Sequence, residues 1–284
     1  MTEYAVTIMV APGNPHWQAF SEVAETVCVA LNMLGHDCVL THEVNIPGRR
    51  HIFFGARGPH RHLIPDDSIL YNMEPIHPEA WQVDDGVLDL LRTHLTWDYS
   101  TSNITALKEH GIRGVQHVPV GHVDELERIP VVEEEDIDVL FIGGANHRRM
   151  LPITALRILG VNAQTHFGVY GPERDLLYAR AKIVLNLHAF QGQAFEIVRV
   201  SYLLANGRFV VSETADAAET AGLESSVAFS GYNRLVDTCM HYLEEPTERA
   251  RRARAGRAIM RARPAVEYVR RALDAQLPTE LNLR

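Results

Sequence analysis

The chain has no long apolar segment and few cysteines. None of its apolar runs approaches the roughly 18 residues of a membrane-spanning helix, and residues 1–14 lack the basic stretch that opens a signal peptide. Its three cysteines, Cys28, Cys38 and Cys239, are scattered through apolar sequence, which argues against a disulfide framework and a zinc site. We therefore expect reduced, buried thiols and a cytoplasmic protein.

The bulk composition is that of a globular protein with a substantial core. Of 284 residues, 46% are hydrophobic and 22% charged, enough for one large or two ordinary domains. The net charge of −9 argues against general nucleic-acid binding, which depends on attraction to phosphate.

Positive charge is concentrated near the end of the chain. Nine arginines and one glutamate give residues 249–271 a charge of +8, which leaves −17 for the remainder. Four of these arginines fall on one helix face: Arg251, Arg254, Arg257 and Arg261. Such a stripe is usually a solvated face, here with the acidic residues 123–138 as a partner. The alternative is contact with an anionic membrane, an acidic glycan or nucleic acid.

Strand and helix patterns alternate through the first 122 residues. A buried strand at 4–10 leads through a Gly/Pro loop into an amphipathic helix at 20–34 and a strand at 37–41. Four more strands are predicted, at 51–54, 68–71, 95–97 and 115–118. This alternation predicts a doubly wound parallel sheet.

The pattern stops at residues 123–138, which are acidic and contain Pro130, and then starts again. We predict an N-terminal Rossmann-like domain at 1–122, an acidic linker at 123–138 and a second Rossmann-like domain at 139–262. A tail follows at 263–284, and one arrangement for it is packing back on the first domain. The predicted fold class is α/β, with the two doubly wound domains facing a cleft.

Residues 173–213 contain the most informative part of the second domain. A strand at 182–187, a helix at 195–205 and a strand at 208–212 form a parallel βαβ unit. Ligands of open α/β sheets bind beyond the carboxyl ends of the strands. His188, Glu196 and Glu213 lie at these ends, so we expect all three to face one crevice.

The ordered motifs resemble those of GT-B-type glycosyltransferases, especially bacterial group-1 glycosyltransferases and spore-maturation-type proteins. The resemblance covers nearly the whole chain as a pattern and rests on Leu34–Asp37, Trp97–Ser100, His117–Gly121, Phe141–Gly144, Phe195-Glu196 with Arg199, and Ala205–Gly207. It implies a nucleotide-sugar donor bound by residues 139–262, an acceptor bound by residues 1–122, and neither a cofactor nor an essential metal. No Asp-x-Asp pair follows a predicted strand, which agrees with the expectation that no essential metal is needed.

The chain departs from the commonest retaining pattern of that family, in which seven residues separate two glutamates. Eight positions after Glu196 stands Leu204, and that helix carries no other acid. Two rival functions are open beside the transferase: a GT-B-fold sugar-nucleotide epimerase, and a non-catalytic binding protein, for which the missing second glutamate is an argument. For a transferase, the acceptor hydroxyl is that of a glycan, a small molecule or a modified nucleobase.

The candidate donor site has two parts. A glycine turn at the start of a helix suits a diphosphate, because glycines allow close approach and helix amides and arginines attract anions. Its residues are Gly143, Gly144, His147, Arg148 and Arg149. The resemblance places Glu196 on donor ribose or sugar hydroxyls. By position, Arg199 is a candidate for the diphosphate, His188 for the donor sugar or phosphate, and Glu213 for donor hydroxyls. Each candidate also has a purely structural interpretation. Gly143 and Gly144 would form a glycine turn beside surface arginines, and Glu196 would be a carboxylate at a helix start. Arg199 would pair with Glu196, His188 would be a buried histidine, and Glu213 would cap a helix.

Three side chains in the first half are candidates for the base that deprotonates the acceptor. His16 follows the first strand, and imidazole has a suitable pKa. Glu74 and Asp98 also follow strands. A retaining enzyme would need none of them, and the residues leave this choice open.

Overall fold

The computed structural model describes residues 2–10, 13, 15–57, 61–77, 84–190 and 195–276. They form two compact units. The first contains the described residues up to Val123 and those from Pro264 onwards, and the second spans Asp124–Arg263. Residues 277–284 of the predicted tail lie outside the described ranges. Within the described ranges, no helix has the length and apolarity needed to cross a membrane.

The first unit is built on six parallel strands. They are β1 (Glu3–Ile8), β2 (Asp37–Thr41), β3 (Arg50–Phe54), β4 (Ile69–Asn72), β5 (Leu95–Asp98) and β6 (Gln116–His117). Their order in the sheet is β2-β1-β3-β4-β5-β6. Three helices lie between them in the chain: α1 (Ser21–Met33), α2 (Asp85–Thr93) and α3 (Thr101–Glu109). Both faces of the central strands are buried, as is usual for a parallel sheet covered by helices.

The second unit is built on five parallel strands. They are β7 (Ile137–Ile142), β8 (Ala163–His166), β9 (Ala181–Asn186), β10 (Val210–Glu213) and β11 (Val227–Ser230), in the order β11-β10-β9-β7-β8. The helices are α4 (His147–Ile158), α5 (Gly171–Arg180), α6 (Ile197–Ala205), α7 (Ala217–Thr220), α8 (Leu235–Glu244) and α9 (Pro246–Arg261). The predicted fold class, α/β with two Rossmann-like sheets, is confirmed.

Each sheet has a point where the strand order reverses. In the first unit β1 lies between β2 and β3, and in the second β7 lies between β8 and β9. Loops that leave adjacent strands at such a point diverge to opposite faces and open a crevice at the carboxyl edge. In the second unit this edge carries the glycine turn that follows β7 and the residues that follow β9.

Four acidic residues of the segment 124–138 are paired with basic residues of the second unit. Glu127 accepts hydrogen bonds from Arg257 (3.0 Å) and Arg261 (2.7 Å), and these hydrogen bonds and charges lower the pKa of Glu127 to about 2. Three more pairs hold the segment: Glu135–Arg208, Asp136–Arg180 and Asp138–Lys182. Two arginines of the basic stripe are therefore engaged within their own unit.

The last helix of the described chain, α10 (Ala265–Asp274), belongs to the first unit and packs against α1. The amide of Ala265 donates to the carbonyl of His122 at 3.0 Å. A Cβ on Gly121 would lie 2.4 Å from the Cα of Ala265, so this close approach requires glycine.

Candidate functional site

The glycine turn after β7 leads directly into α4. A Cβ at Gly143 would lie 2.9 Å from the ring of Phe141, so the turn needs glycine at this position. Asn146 caps the helix by accepting from the amide of Arg149 at 2.9 Å, and its own amide donates to the carbonyl of Ala189 at 2.8 Å. Asn146 thus connects the start of α4 to the loop after β9. The first backbone amides of α4 offer an anion site at that helix start.

His188 and Glu196 form an ion pair in this crevice. Nδ1 of His188 lies 2.9 Å from Oε2 of Glu196, and the same oxygen accepts from the amide of Asn186 at 2.9 Å. Burial alone would lower the pKa of His188, but the hydrogen bond and charge of Glu196 outweigh it and raise the pKa. Burial would likewise raise the pKa of Glu196, yet His188 and nearby Arg199 lower it. Both shifts favour the imidazolium–carboxylate form of the pair.

Glu213 and Arg148 form a second ion pair. The guanidinium of Arg148 donates to both carboxylate oxygens, with 2.8 Å between Nη1 and Oε2. The hydrogen bonds that Arg148 donates to Glu213 raise the pKa of Arg148. Arg148 also lies 4.3 Å from the ring centroid of Tyr232, whose hydroxyl donates to the Arg148 carbonyl. Because the backbone amide of His188 donates to Glu213 at 3.3 Å, the two ion pairs are adjacent.

Arg149 and Arg199 both lie near the ring of Phe141 and differ from Arg148 in their partners. Arg149 donates to two backbone carbonyls, those of Leu187 (3.1 Å) and Gly144 (3.0 Å). Arg199 donates to the side-chain oxygen of Asn186 at 3.0 Å. Their guanidinium carbons lie 5.5 and 6.0 Å from the ring centroid of Phe141. Burial, then the charge of Arg199, lowers the pKa of Arg149 to about 10.

These contacts leave positive charge available in the crevice. The His188–Glu196 and Arg148–Glu213 pairs are each close to neutral, whereas the hydrogen bonds described for Arg149 and Arg199 go to neutral oxygens. The nearest carboxylate oxygen to Arg149, Oε1 of Glu196, is 3.9 Å away. That oxygen is buried and accepts no hydrogen bond from the described part of the chain. The crevice therefore has unfilled capacity for both an anion and a hydroxyl donor.

The structure brings together eight of the nine residues predicted for the donor site. His147, by contrast, is exposed on the first turn of α4 and forms no hydrogen bond with the other predicted residues described above. Helix α6 begins at Ile197, later than the predicted start at 195, so Glu196 occupies the N-cap position without capping the helix through its side chain. Its carboxylate accepts from the side chains of His188 and Asn186 instead.

The three candidate bases of the first unit have different surroundings. Asp98 has no exposed surface, and its carboxylate accepts from Asn72 (2.6 Å), Asn103 (3.2 Å) and the amide of Ser100 (2.8 Å). Glu74 is 18% exposed and pairs with Arg57 at 3.0 Å. Burial raises the pKa of Glu74 more than Arg57 lowers it. His16 is half-buried in a short 3₁₀ helix, Pro15–Phe20.

Sequence reasoning missed Asn186, which connects three predicted features. Its side-chain amide donates to Glu196 and Ser212, and its oxygen accepts from Arg199. A polar residue directly after the apolar run Ile183–Leu185 of β9 was an available signal. A second signal was the position eight residues before Glu196, which is His188. The two side chains at that spacing are in contact.

Comparison with protein families gives a match over half of the chain. The family model described as glycosyl transferase-like matches residues 134–275. Among curated proteins, an uncharacterized protein of Acanthamoeba polyphaga mimivirus is 28% identical over 159 residues, which cover 51% of this chain and 52% of that protein. The chain thus spans about half the length of this relative.

Solved structures share the fold over nearly the full length. The Anabaena protein HepE in complex with UDP-glucose has a TM-score of 0.65 at 12% identity, covering 98% of this chain and 100% of that one. A glycosyltransferase involved in avilamycin A biosynthesis has a TM-score of 0.59 at 18% identity, covering 96% of both chains. Sucrose-phosphate synthase from Thermosynechococcus elongatus has a TM-score of 0.59 at 14% identity, and the match covers 99% of both chains.

Proposed function

We propose that this chain, which belongs to the glycosyl transferase-like family, moves a sugar from a nucleoside-diphosphate sugar to an acceptor hydroxyl. The donor binds at the carboxyl edge of β7 and β9. The observation that carries this proposal is the pair of arginines, Arg149 and Arg199, whose described hydrogen bonds go to neutral oxygens beside the capped start of α4.

The charge of the crevice matches a donor diphosphate. A diphosphate esterified at both ends carries two negative charges at neutral pH. Arg149 and Arg199 supply two positive charges, since Arg148 and His188 are offset by Glu213 and Glu196. A bound diphosphate would also stabilise the charged form of Arg149, which burial and repulsion by Arg199 disfavour.

Glu196 supports the same position for the donor. Its Oε1 atom is buried without a hydrogen-bond donor from the described residues, whereas Oε2 is held by His188 and Asn186. A carboxylate held on one side accepts a hydroxyl well on the other. We assign Oε1 to a hydroxyl of the donor, either on the ribose or on the sugar.

The chemistry that follows is departure of the nucleoside diphosphate as the acceptor oxygen bonds to the sugar. Negative charge develops on the leaving diphosphate, and preorganised donors at that place lower the barrier. The guanidinium groups of Arg149 and Arg199 and the first amides of α4 are such donors. Because these groups already carry the needed positive charge, the proposed reaction requires no metal ion. The first unit supplies the acceptor side.

Titration calorimetry with UDP, GDP, ADP, CDP and dTDP tests the proposal. UDP comes first, since the structural neighbour HepE was solved with UDP-glucose. We expect at least one nucleoside diphosphate to bind and to raise the unfolding temperature, because a ligand of the folded state stabilises it by mass action. Absence of binding for all five would show the proposal to be wrong. Inorganic sulfate at matched ionic strength controls for a general response to anions.

A further inference from the structure

Asn186, the last residue of β9, contacts both side chains that the proposed function assigns to the donor. It is fully buried. Its amide nitrogen donates to Oε2 of Glu196 at 2.9 Å, and its amide oxygen accepts from Nη1 of Arg199 at 3.0 Å. One buried amide therefore connects the carboxylate proposed to accept a donor hydroxyl with the guanidinium proposed to bind the diphosphate.

The orientation of this amide is fixed by Ser212 of the neighbouring strand β10. Ser212 lies opposite Asn186 in the sheet, and its hydroxyl donates to the carbonyl of Glu213 at 2.9 Å. Because a hydroxyl has one proton, Ser212 accepts in its 3.0 Å contact with Asn186, and the group that faces it is the amide nitrogen. A reversed amide would also turn its oxygen toward Glu196 and its nitrogen toward Arg199, which brings like groups together. The amide oxygen therefore faces Arg199.

The contact with Asn186 also sets the direction of the Arg199 side chain. While Nη1 is held by Asn186, Nη2 faces the glycine turn after β7, where a Cβ on Gly143 would lie 3.4 Å from it. The first amides of α4 follow this turn and offer their protons to an anion. Asn186 thus holds the guanidinium beside the helix start that the proposed function assigns to the diphosphate.

Arg199 has a charged alternative to this contact. It follows Glu196 by three residues at the start of α6, a spacing at which opposite charges on a helix attract each other directly. Within the described ranges, however, no ion pair joins the two side chains. Glu196 is paired with His188, and Arg199 donates to the neutral oxygen of Asn186. A direct pair would turn the guanidinium away from the glycine turn and occupy the carboxylate.

We propose that Asn186 is a positioning residue, which directs Arg199 to the donor diphosphate and keeps it from pairing with Glu196. This inference rests on the proposed function. A neutral amide suits this place because its nitrogen satisfies the buried carboxylate while its oxygen satisfies the guanidinium. A carboxylate here would hold Arg199 by its charge, and an apolar side chain would leave the arginine to pair with Glu196.

Calorimetry of the full chain with inorganic pyrophosphate tests this role. Pyrophosphate has no hydroxyl, so its affinity reports the cations of the crevice. In Asn186→Ala the arginine loses its neutral acceptor and pairs with Glu196, so the affinity falls by about 10-fold or more. Asn186→Ala combined with Glu196→Gln offers Arg199 no carboxylate at this place. The double variant therefore binds pyrophosphate within about threefold of Glu196→Gln alone.

Asn186→Asp nearly keeps the size of the side chain and preserves the test if the alanine variant does not fold. The new carboxylate holds Arg199 itself, so pyrophosphate affinity falls by about 10-fold or more, and Glu196→Gln does not restore it. Ser212→Ala is the matched control, because it removes one buried hydrogen bond of Asn186 and leaves the contacts with Arg199 and Glu196 in place. It lowers the free energy of unfolding and retains pyrophosphate affinity within about threefold.

The outcomes separate this role from the proposed function. Wild-type affinity in folded Asn186→Ala, or a loss that Glu196→Gln does not restore in that variant, overturns the positioning role and leaves the donor assignment standing. An equal loss in Ser212→Ala also overturns it, because Asn186 then acts only on the fold. UDP is measured on the same variants, so a chain that binds UDP and not pyrophosphate is judged by the same comparisons. A wild-type chain that binds none of the nucleoside diphosphates overturns the proposed function and, with it, the role of Asn186.

Discussion

Replacing Arg199 by glutamine separates donor binding from stability. The guanidinium donates to the side chain of Asn186 and faces the glycine turn, where a Cβ on Gly143 would lie 3.4 Å from its Nη2 atom. A diphosphate in that turn is therefore within reach of Arg199. A hydrogen bond to a charged group contributes about 1.5–3 kcal/mol. Its loss raises the dissociation constant of the nucleoside diphosphate by roughly 10-fold to 160-fold.

The same change has little effect on the unliganded fold. Arg199 lowers the pKa of its neighbour Arg149, so its removal relieves repulsion while one hydrogen bond to Asn186 is lost. These effects oppose each other, and we expect the free energy of unfolding to stay within about 1 kcal/mol of the wild-type value. At a nucleotide concentration of about 100 times the wild-type dissociation constant, ligand stabilisation falls from about 2.7 to about 0.3–1.3 kcal/mol.

Calorimetry gives the dissociation constants, and urea unfolding with and without nucleotide gives the two stabilities. Arg254→Gln is the matched control, because Arg254 is exposed on the second unit and forms no ion pair with a described residue. It should retain wild-type affinity within about twofold. If Arg199→Gln binds nucleotide within about threefold of wild type while remaining folded, the guanidinium does not contact the diphosphate and the argument from charge fails.

Three further changes test other parts of the structure. Glu196→Gln removes the carboxylate that opposes the effect of burial on His188, so the imidazole pKa falls in an NMR titration; an unchanged pKa contradicts the pairing. Gly256→Ala places a Cβ 2.7 Å from the side chain of Leu204. The cost of overpacking, about 1–3 kcal/mol, outweighs the gain in helix propensity of about 1 kcal/mol. Urea unfolding should therefore show a lower free energy of unfolding, and a higher one would contradict the argument. Burial lowers the pKa of His51, so its protonation favours the unfolded chain and the free energy of unfolding falls as pH drops below about 6.5. The fall is less steep in His51→Gln. Equal pH dependence of the two unfolding free energies would refute this.

The fold was predictable because each parallel strand is a short apolar run with a loop signal after it. Strands β4, β5 and β9 lie close to their predicted positions for this reason. Boundaries at helix starts were less predictable. Phe195 fits the apolar face of α6 by spacing, yet its amide donates to the side chain of Glu219 and the helix begins at Ile197. A tertiary hydrogen bond of this kind leaves no periodic trace in the sequence.

The location of the site was also predictable, because a parallel sheet collects the ends of its strands. His188 and Glu213 follow or end adjacent strands, and the sheet places them side by side. The burial of Asp98 was not predictable. Like Glu74, it is an acid at the end of a strand, and the side chains that enclose it, Asn72 and Asn103, come from other elements of the chain.

The partner of each charge was the least predictable feature, and it decides the chemistry. Arg148 and Arg149 are neighbours at the start of α4 and are indistinguishable as sequence signals. A rotation of about 100° around the helix sends Arg148 to Glu213, 65 residues away, and sends Arg149 to two backbone carbonyls. Only the second arginine keeps a charge that no hydrogen-bonded carboxylate offsets. A count of arginines in the sequence therefore overstates how much phosphate charge such a turn can bind. That capacity depends on which arginines are paired with carboxylates in the fold.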